Sequence, residues 1–121
     1  MKRLLAACLV LSLSVASAYA QTVAATTNAS VVIATGNTFQ TVLNAVTNTN
    51  ARRSLTIQNN NATDSCWITF GIGVTSGNAT KSKSILLLAG QSYSRYYPYV
   101  PSDEIEATCA TTADTLYVDI Q

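Results

Sequence analysis

The chain has 121 residues, 48% of them hydrophobic and 11% charged, with three cysteines, no histidine and a formal net charge of +1. This describes one small domain with few ionisable groups for chemistry. Without histidine, Ser-His-Asp and Cys-His triads and His-containing zinc sites cannot be built.

The first twenty residues carry Lys2 and Arg3, an apolar run from Leu4 to Val15, and then Ala18-Tyr19-Ala20. Charged, apolar and small residues in that order are the anatomy of a cleaved secretory signal peptide, with the cut expected after Ala20. The run is shorter than the roughly 20 apolar residues that span a bilayer, so the mature chain is expected to be secreted or periplasmic without a membrane anchor. Leu5-Ala6-Ala7-Cys8 also looks like a lipoprotein box, but the apolar stretch continues past Cys8, which is therefore read as a signal residue. Beyond Ala20 the chain holds five bases and six acids, a net charge of −1. No basic field remains to attract nucleic acid or an anionic lipid surface.

Ser, Thr and Asn supply 35 of the 101 residues after Ala20, a composition that favours strands and turns over helices. Residues 21–29 read as a flexible or extended lead-in. Eight strand candidates follow: Ser30 to Ala34, Thr38 to Val46, Arg53 to Asn59, Cys66 to Gly71, Ser84 to Leu88, Tyr93 to Tyr97, Glu104 to Cys109 and Thr115 to Ile120. Several alternate cleanly, with Leu55 and Ile57 on one side and Leu116, Val118 and Ile120 on another. Short strands at this spacing predict a single all-β domain over 30–121, an antiparallel β-sandwich that is jelly-roll-like or Ig-like.

Cys66 shares a strand face with Ile68 and Phe70, and Cys109 shares one with Ile105 and Ala107, so both sulfurs are expected on inward faces. An exported pair of this kind is expected to be bridged. Closing a loop of this length stabilises the fold by about 4 kcal/mol in the chain-entropy model.

The remaining candidates for chemistry are sparse. Gly71-Ile72-Gly73-Val74-Thr75-Ser76-Gly77, followed by Lys81-Ser82, is neither GxGxxG nor GxxxxGK[ST] and reads as a long turn. Asp103, Glu104 and Glu106 offer carboxylates for acid–base work or calcium, but alternation assigns Glu104 and Glu106 to a solvated outer face. Lys81 and Lys83 neighbour Thr80, Ser82 and Ser84, the residue types of a Ser-Lys dyad, in a segment that reads as exposed. Asn28-Ala29-Ser30, Asn61-Ala62-Thr63 and Asn78-Ala79-Thr80 match the glycosylation sequon. No catalytic residue, metal site or cofactor is expected.

The strongest functional signal runs from Gln91 to Pro101. Four of the eight aromatic residues after Ala20 (Tyr93, Tyr96, Tyr97 and Tyr99) fall within seven positions around Arg95. Tyrosine and arginine dominate contact energies at interfaces, whereas alternation would bury about half of the rings. The expected binding residues are Tyr93, Arg95, Tyr96, Tyr97 and Tyr99, facing a protein surface, a glycan or a second copy of the chain.

Arg52-Arg53-Ser54-Leu55-Thr56-Ile57-Gln58-Asn59-Asn60, followed by a glycine-bearing turn and Leu87-Leu88-Ala89-Gly90-Gln91-Ser92-Tyr93, resembles a pattern of small phage and prophage structural β-domain proteins, over roughly residues 52–120. The resemblance implies a non-enzymatic particle component working through surface contacts. The export signal and the cysteine pair depart from that pattern. Further readings are a carbohydrate-binding module using the tyrosine-rich segment, a small hydrolase using the Asp103–Glu106 carboxylates, and a pilus-like subunit donating Gln21 to Ser30 as a strand.

Overall fold

Strands form where polar and apolar residues alternate, because period two sends one set of side chains to each face of a pleated ribbon. A computed structural model of the chain describes residues 27–46, 52–71 and 79–121. The expected signal peptide with Cys8, most of the lead-in, and residues 72–78 of the glycine-rich stretch lie outside these. The strands are β1 (Thr27–Val32), β2 (Gln40–Leu43), β3 (Ser54–Asn59), β4 (Cys66–Phe70), β5 (Ile85–Leu87), β6 (Ser92–Tyr96), β7 (Ile105–Cys109) and β8 (Thr115–Ile120). A 3-10 turn at Lys81–Lys83 precedes β5.

Two four-stranded sheets result, in the orders β1-β8-β3-β6 and β2-β7-β4-β5. Every pairing is antiparallel, and β1 pairs with β8, β2 with β7, β3 with β6 and β4 with β5. The chain therefore behaves as one long hairpin folded at its β4–β5 end and rolled so that successive rungs fall on alternate sheets. That is the jelly-roll order, and it selects between the two sandwich topologies expected from the sequence.

The core lies between the sheets. Leu55, Ile57, Leu116 and Val118 come from the first, and Cys66, Ile68, Leu87, Ile105, Ala107 and Cys109 from the second, with Ile33 from the loop after β1. Cys66 and Cys109 face each other directly in the β4–β7 register and are bridged, their Cα atoms 4.0 Å apart. The bridge thus lies within one sheet, on its inward face, and spans 43 residues of chain.

Two strands, β1 and β2, differ from the sequence expectation by more than one residue at each end. β1 reaches back to Thr27 because Thr27 to Ala29 continue the register against Ile120, Asp119 and Val118. Thr27–Ser30, part of the segment considered for strand donation, is accordingly the edge strand of its own sheet. β2 ends at Leu43, after a register shift between Thr41 and Leu43; the Asn44 carbonyl then turns to accept from Arg52, and the Val46 amide bonds the Ser102 carbonyl.

Candidate functional site

Directly opposed residues of an antiparallel pair share a face, so the register sorts the tyrosine-rich segment. Tyr93 opposes Ile57 and Arg95 opposes Leu55, which places both on the core side of this edge strand, Tyr93 half-buried and Arg95 exposed at the rim. Tyr93 meets Phe70 of the other sheet with ring centroids 5.0 Å apart, and the Arg95 guanidinium carbon lies 4.7 Å above the Tyr93 ring. Tyr93 is thus half-buried, closing the open side of the sandwich. Tyr96, opposite Ser54, turns outward.

The chain then leaves β6 into a loop carrying a cis Tyr97–Pro98 peptide. Tyr96, Tyr97 and Tyr99 are 67%, 76% and 80% exposed. This loop is fastened at both ends. The Tyr97 amide donates to the Arg53 carbonyl at 2.8 Å, and the Tyr99 amide to the Tyr96 carbonyl at 3.0 Å. At the far end Arg52 Nη1 donates to the carbonyls of Pro101 at 2.7 Å and Asp103 at 3.0 Å, while Nη2 donates to the Asn44 carbonyl. Arg52 is only 5% exposed. Burial pushes its pKa down and the nearby Asp103 opposes that shift.

The two sequence segments Arg52–Asn60 and Leu87–Tyr93 are hydrogen-bonded neighbours. The Asn59 amide donates to the Gln91 carbonyl and the Gly90 amide to the Asn59 carbonyl, both at 2.9 Å. Gly90 has φ +73°, a conformation that glycine adopts without steric cost. The buried Asn59 side chain ties the sheets together, donating to the Asp64 carbonyl at 2.7 Å and to the Leu87 carbonyl at 3.0 Å. Its Oδ1 accepts from the amide and side chain of Asn61. Arg52, Asn59 and Gly90 each hold the fold or the loop in place. Sequence reasoning missed the roles of Arg52 and Asn59, although an arginine and an asparagine bracketing a clean Leu-x-Ile strand were a usable signal.

The other candidates separate. Glu106 points away from the core but is only 5% exposed, not solvated as the alternation suggested, because it lies between Thr41 of β2 and Thr69 of β4. Burial, with the Glu104 carboxylate as a lesser cause, pushes the Glu106 pKa up. Glu104 accepts from the Thr41 hydroxyl, and Asp103 is exposed. Lys81 lies 3.8 Å above the Trp67 ring and donates to Asn37 Oδ1. The Ser82 hydroxyl bonds that of Thr80, and Ser84 donates to the Thr80 carbonyl; neither serine is paired with a lysine. Cys66, Cys109 and Asp114 cluster closely enough for a metal, but the bridge removes both thiolates. Of the sequon asparagines, Asn28 is exposed on β1, whereas Asn61 is occupied by Asn59 and by the Thr115 amide at 3.0 Å.

Register also defines the outward face of the β1-β8-β3-β6 sheet. Ser54, Thr56 and Gln58 of β3 oppose Tyr96, Ser94 and Ser92 of β6, and Thr56 and Gln58 oppose Asp119 and Tyr117 of β8. The Thr56 and Ser94 hydroxyls are 3.0 Å apart. Asp119 Oδ1 is buried and accepts no hydrogen bond from the described residues. Among the described residues no helix is long and apolar enough to cross a membrane. Comparisons with family models, curated proteins and solved structures gave no match.

Proposed function

We propose that this protein is an exported, non-catalytic structural or adhesive module that contacts a neighbouring macromolecule through Tyr96, Tyr97 and Tyr99, with Arg95 as a forked donor at the edge. The observation that carries this reading is the exposure, by 67% to 80%, of Tyr96 at the end of β6 and of Tyr97 and Tyr99 in the loop after it, a loop held by backbone bonds and the Arg52 clamp. Large side chains left in water on a constrained loop are the informative exception to apolar burial. Constraint lowers the entropy lost on contact. Three such rings offer roughly 400–500 Å², over half of the ~800 Å² that each partner buries in a standard interface.

The phage-like pattern supports a particle or fibre component as the setting, and the small net charge argues against nucleic acid. Glu106, a buried carboxylate, lies between Thr41 and Thr69 on a sheet face, with Glu104 as its acidic neighbour. The test is the state of association of the oxidised chain after residue 20, by light scattering over a range of concentrations. It is expected to form a defined oligomer or polymer that Tyr97→Ser with Tyr99→Ser abolishes. Association unchanged by that double substitution would overturn the assignment of the contact.

A further inference from the structure

On the outward face of the β2-β7-β4-β5 sheet one carboxylate is buried without a partner. Glu106 lies in the middle of that face, between Thr41 of β2 and Thr69 of β4, and is 5% exposed. It makes no hydrogen bond or ion pair with any described residue. Buried carboxylates are ordinarily hydrogen-bonded or matched by a cation, because an uncompensated one is costly. Its oxygens are nonetheless not sealed: the closed-off, unpaired side-chain atoms among the described residues are Arg52 Nε and Asp119 Oδ1. A second carboxylate, Glu104, stands two residues earlier and is held by the Thr41 hydroxyl on the same face. Burial, and then repulsion from Glu104, push the Glu106 pKa up, as befits an anion without a counter-charge. Lys81, which reaches this face, is committed to the Trp67 ring and to Asn37 Oδ1.

We infer that Glu104 and Glu106 hold a calcium-like divalent cation, with the Thr41 and Thr69 hydroxyls beside them and water completing the shell. The donors decide the metal. All are oxygens, whereas the two cysteines are bridged on the opposite, inward face of the sheet, so no soft or nitrogen ligand favours zinc or copper. Calcium takes oxygen ligands in flexible geometry, while magnesium demands a near-ideal octahedron that two carboxylates fixed by one strand do not supply. Two residues along a strand span roughly 7 Å between Cα atoms, and two glutamate side chains from that spacing can each bring an oxygen to one ion at about 2.4 Å. Two carboxylates with otherwise neutral ligands give a weak site, with a Kd of about 10⁻⁴–10⁻³ M, the class found in extracellular modules. The sequence pointed away from a metal here because alternation assigned both glutamates to solvent; the burial of Glu106 is what changes the reading. The site shares no residue with the tyrosine loop.

Terbium luminescence tests this directly, because Trp67, the only tryptophan of the chain, shares a strand face with Thr69 and is placed to sensitise an ion bound there. The oxidised chain after residue 20, titrated with terbium chloride and excited through the indole, is expected to give sensitised emission that millimolar calcium displaces. Glu106→Gln and Glu104→Gln are each expected to weaken terbium binding tenfold or more, with circular dichroism and a melting curve checking that both are folded. In chelator at pH 7 Glu106→Gln is expected to melt above the wild type, and added calcium to raise the Tm of the wild type alone. Tyr97→Ser with Tyr99→Ser is expected to bind terbium normally, which separates this site from the loop contact. Absence of sensitised emission overturns the inference. So does emission that calcium does not displace, emission that both folded glutamine variants retain, or a wild-type Tm that calcium leaves unchanged.

Discussion

Arg52 is the residue on which the geometry of the tyrosine loop depends most directly. Its guanidinium donates to three backbone carbonyls, those of Asn44, Pro101 and Asp103, from a site that is 5% exposed. Replacing it with alanine leaves those acceptors facing a cavity. Hydrogen bonds to a charged group contribute about 1.5–3 kcal/mol each, but removal also relieves the desolvation cost of a buried cation. The expected net loss is therefore about 3 kcal/mol, less than the sum of the bonds. For a domain of this size that corresponds to a fall in Tm of roughly 12–24 °C. Arg52→Lys keeps the charge but cannot reach three carbonyls from one ammonium, and should lose about half as much. Urea unfolding of the oxidised protein measures both variants, and in Arg52→Lys the exchange rate of the Tyr99 amide should rise as the loop loosens. A Tm within 2 °C of wild type for Arg52→Ala would refute the clamp.

Three further outcomes follow from the same contacts. Asn59→Ala removes the side-chain tie between the sheets and should cost about 2–3 kcal/mol in urea unfolding, with no gain from new apolar burial. Cys66→Ala with Cys109→Ala should lower stability by about 4 kcal/mol from loop entropy alone, and reduction of the wild type should match it. The third concerns Glu106. Because its folded pKa lies above its unfolded one, the folded state binds the extra proton, so stability is fullest below the unfolded value and falls as pH rises through the folded pKa. Glu106→Gln should therefore raise Tm at pH 7 and leave it nearly unchanged at pH 4; an equal shift at both would contradict the assignment.

The sandwich was legible because burial on one face writes itself into period-two alternation: Leu55-Ile57, Leu116-Val118-Ile120 and the two cysteine faces all fall where that pattern placed them. Edges were less legible. β1 exposes most of its side chains, so its first three residues carried no apolar signal, and only the register against β8 makes them a strand. Alternation also gave Glu106 the correct face but not its burial, which depends on neighbours from β2 and β4 far away in sequence. The tyrosine segment was legible as a cluster, but which rings face water was decided by where β6 ends. Tyr93 lies within the strand opposite Ile57, and Tyr97 and Tyr99 lie past it. Arg52 and Asn59 read as parts of a motif, and only the folded chain shows that one fastens a loop and the other fastens two sheets.

If Tyr97 and Tyr99 form a contact surface, their side chains should matter to association and not to the fold. Light scattering of the oxidised chain and of its Tyr97→Ser, Tyr99→Ser variant, with Tm recorded for both, tests this most directly. The expected result is equal stability within about 0.5 kcal/mol, with concentration-dependent association in the wild type alone. A wild type that stays monomeric at every concentration, or a variant that associates equally well, would contradict it.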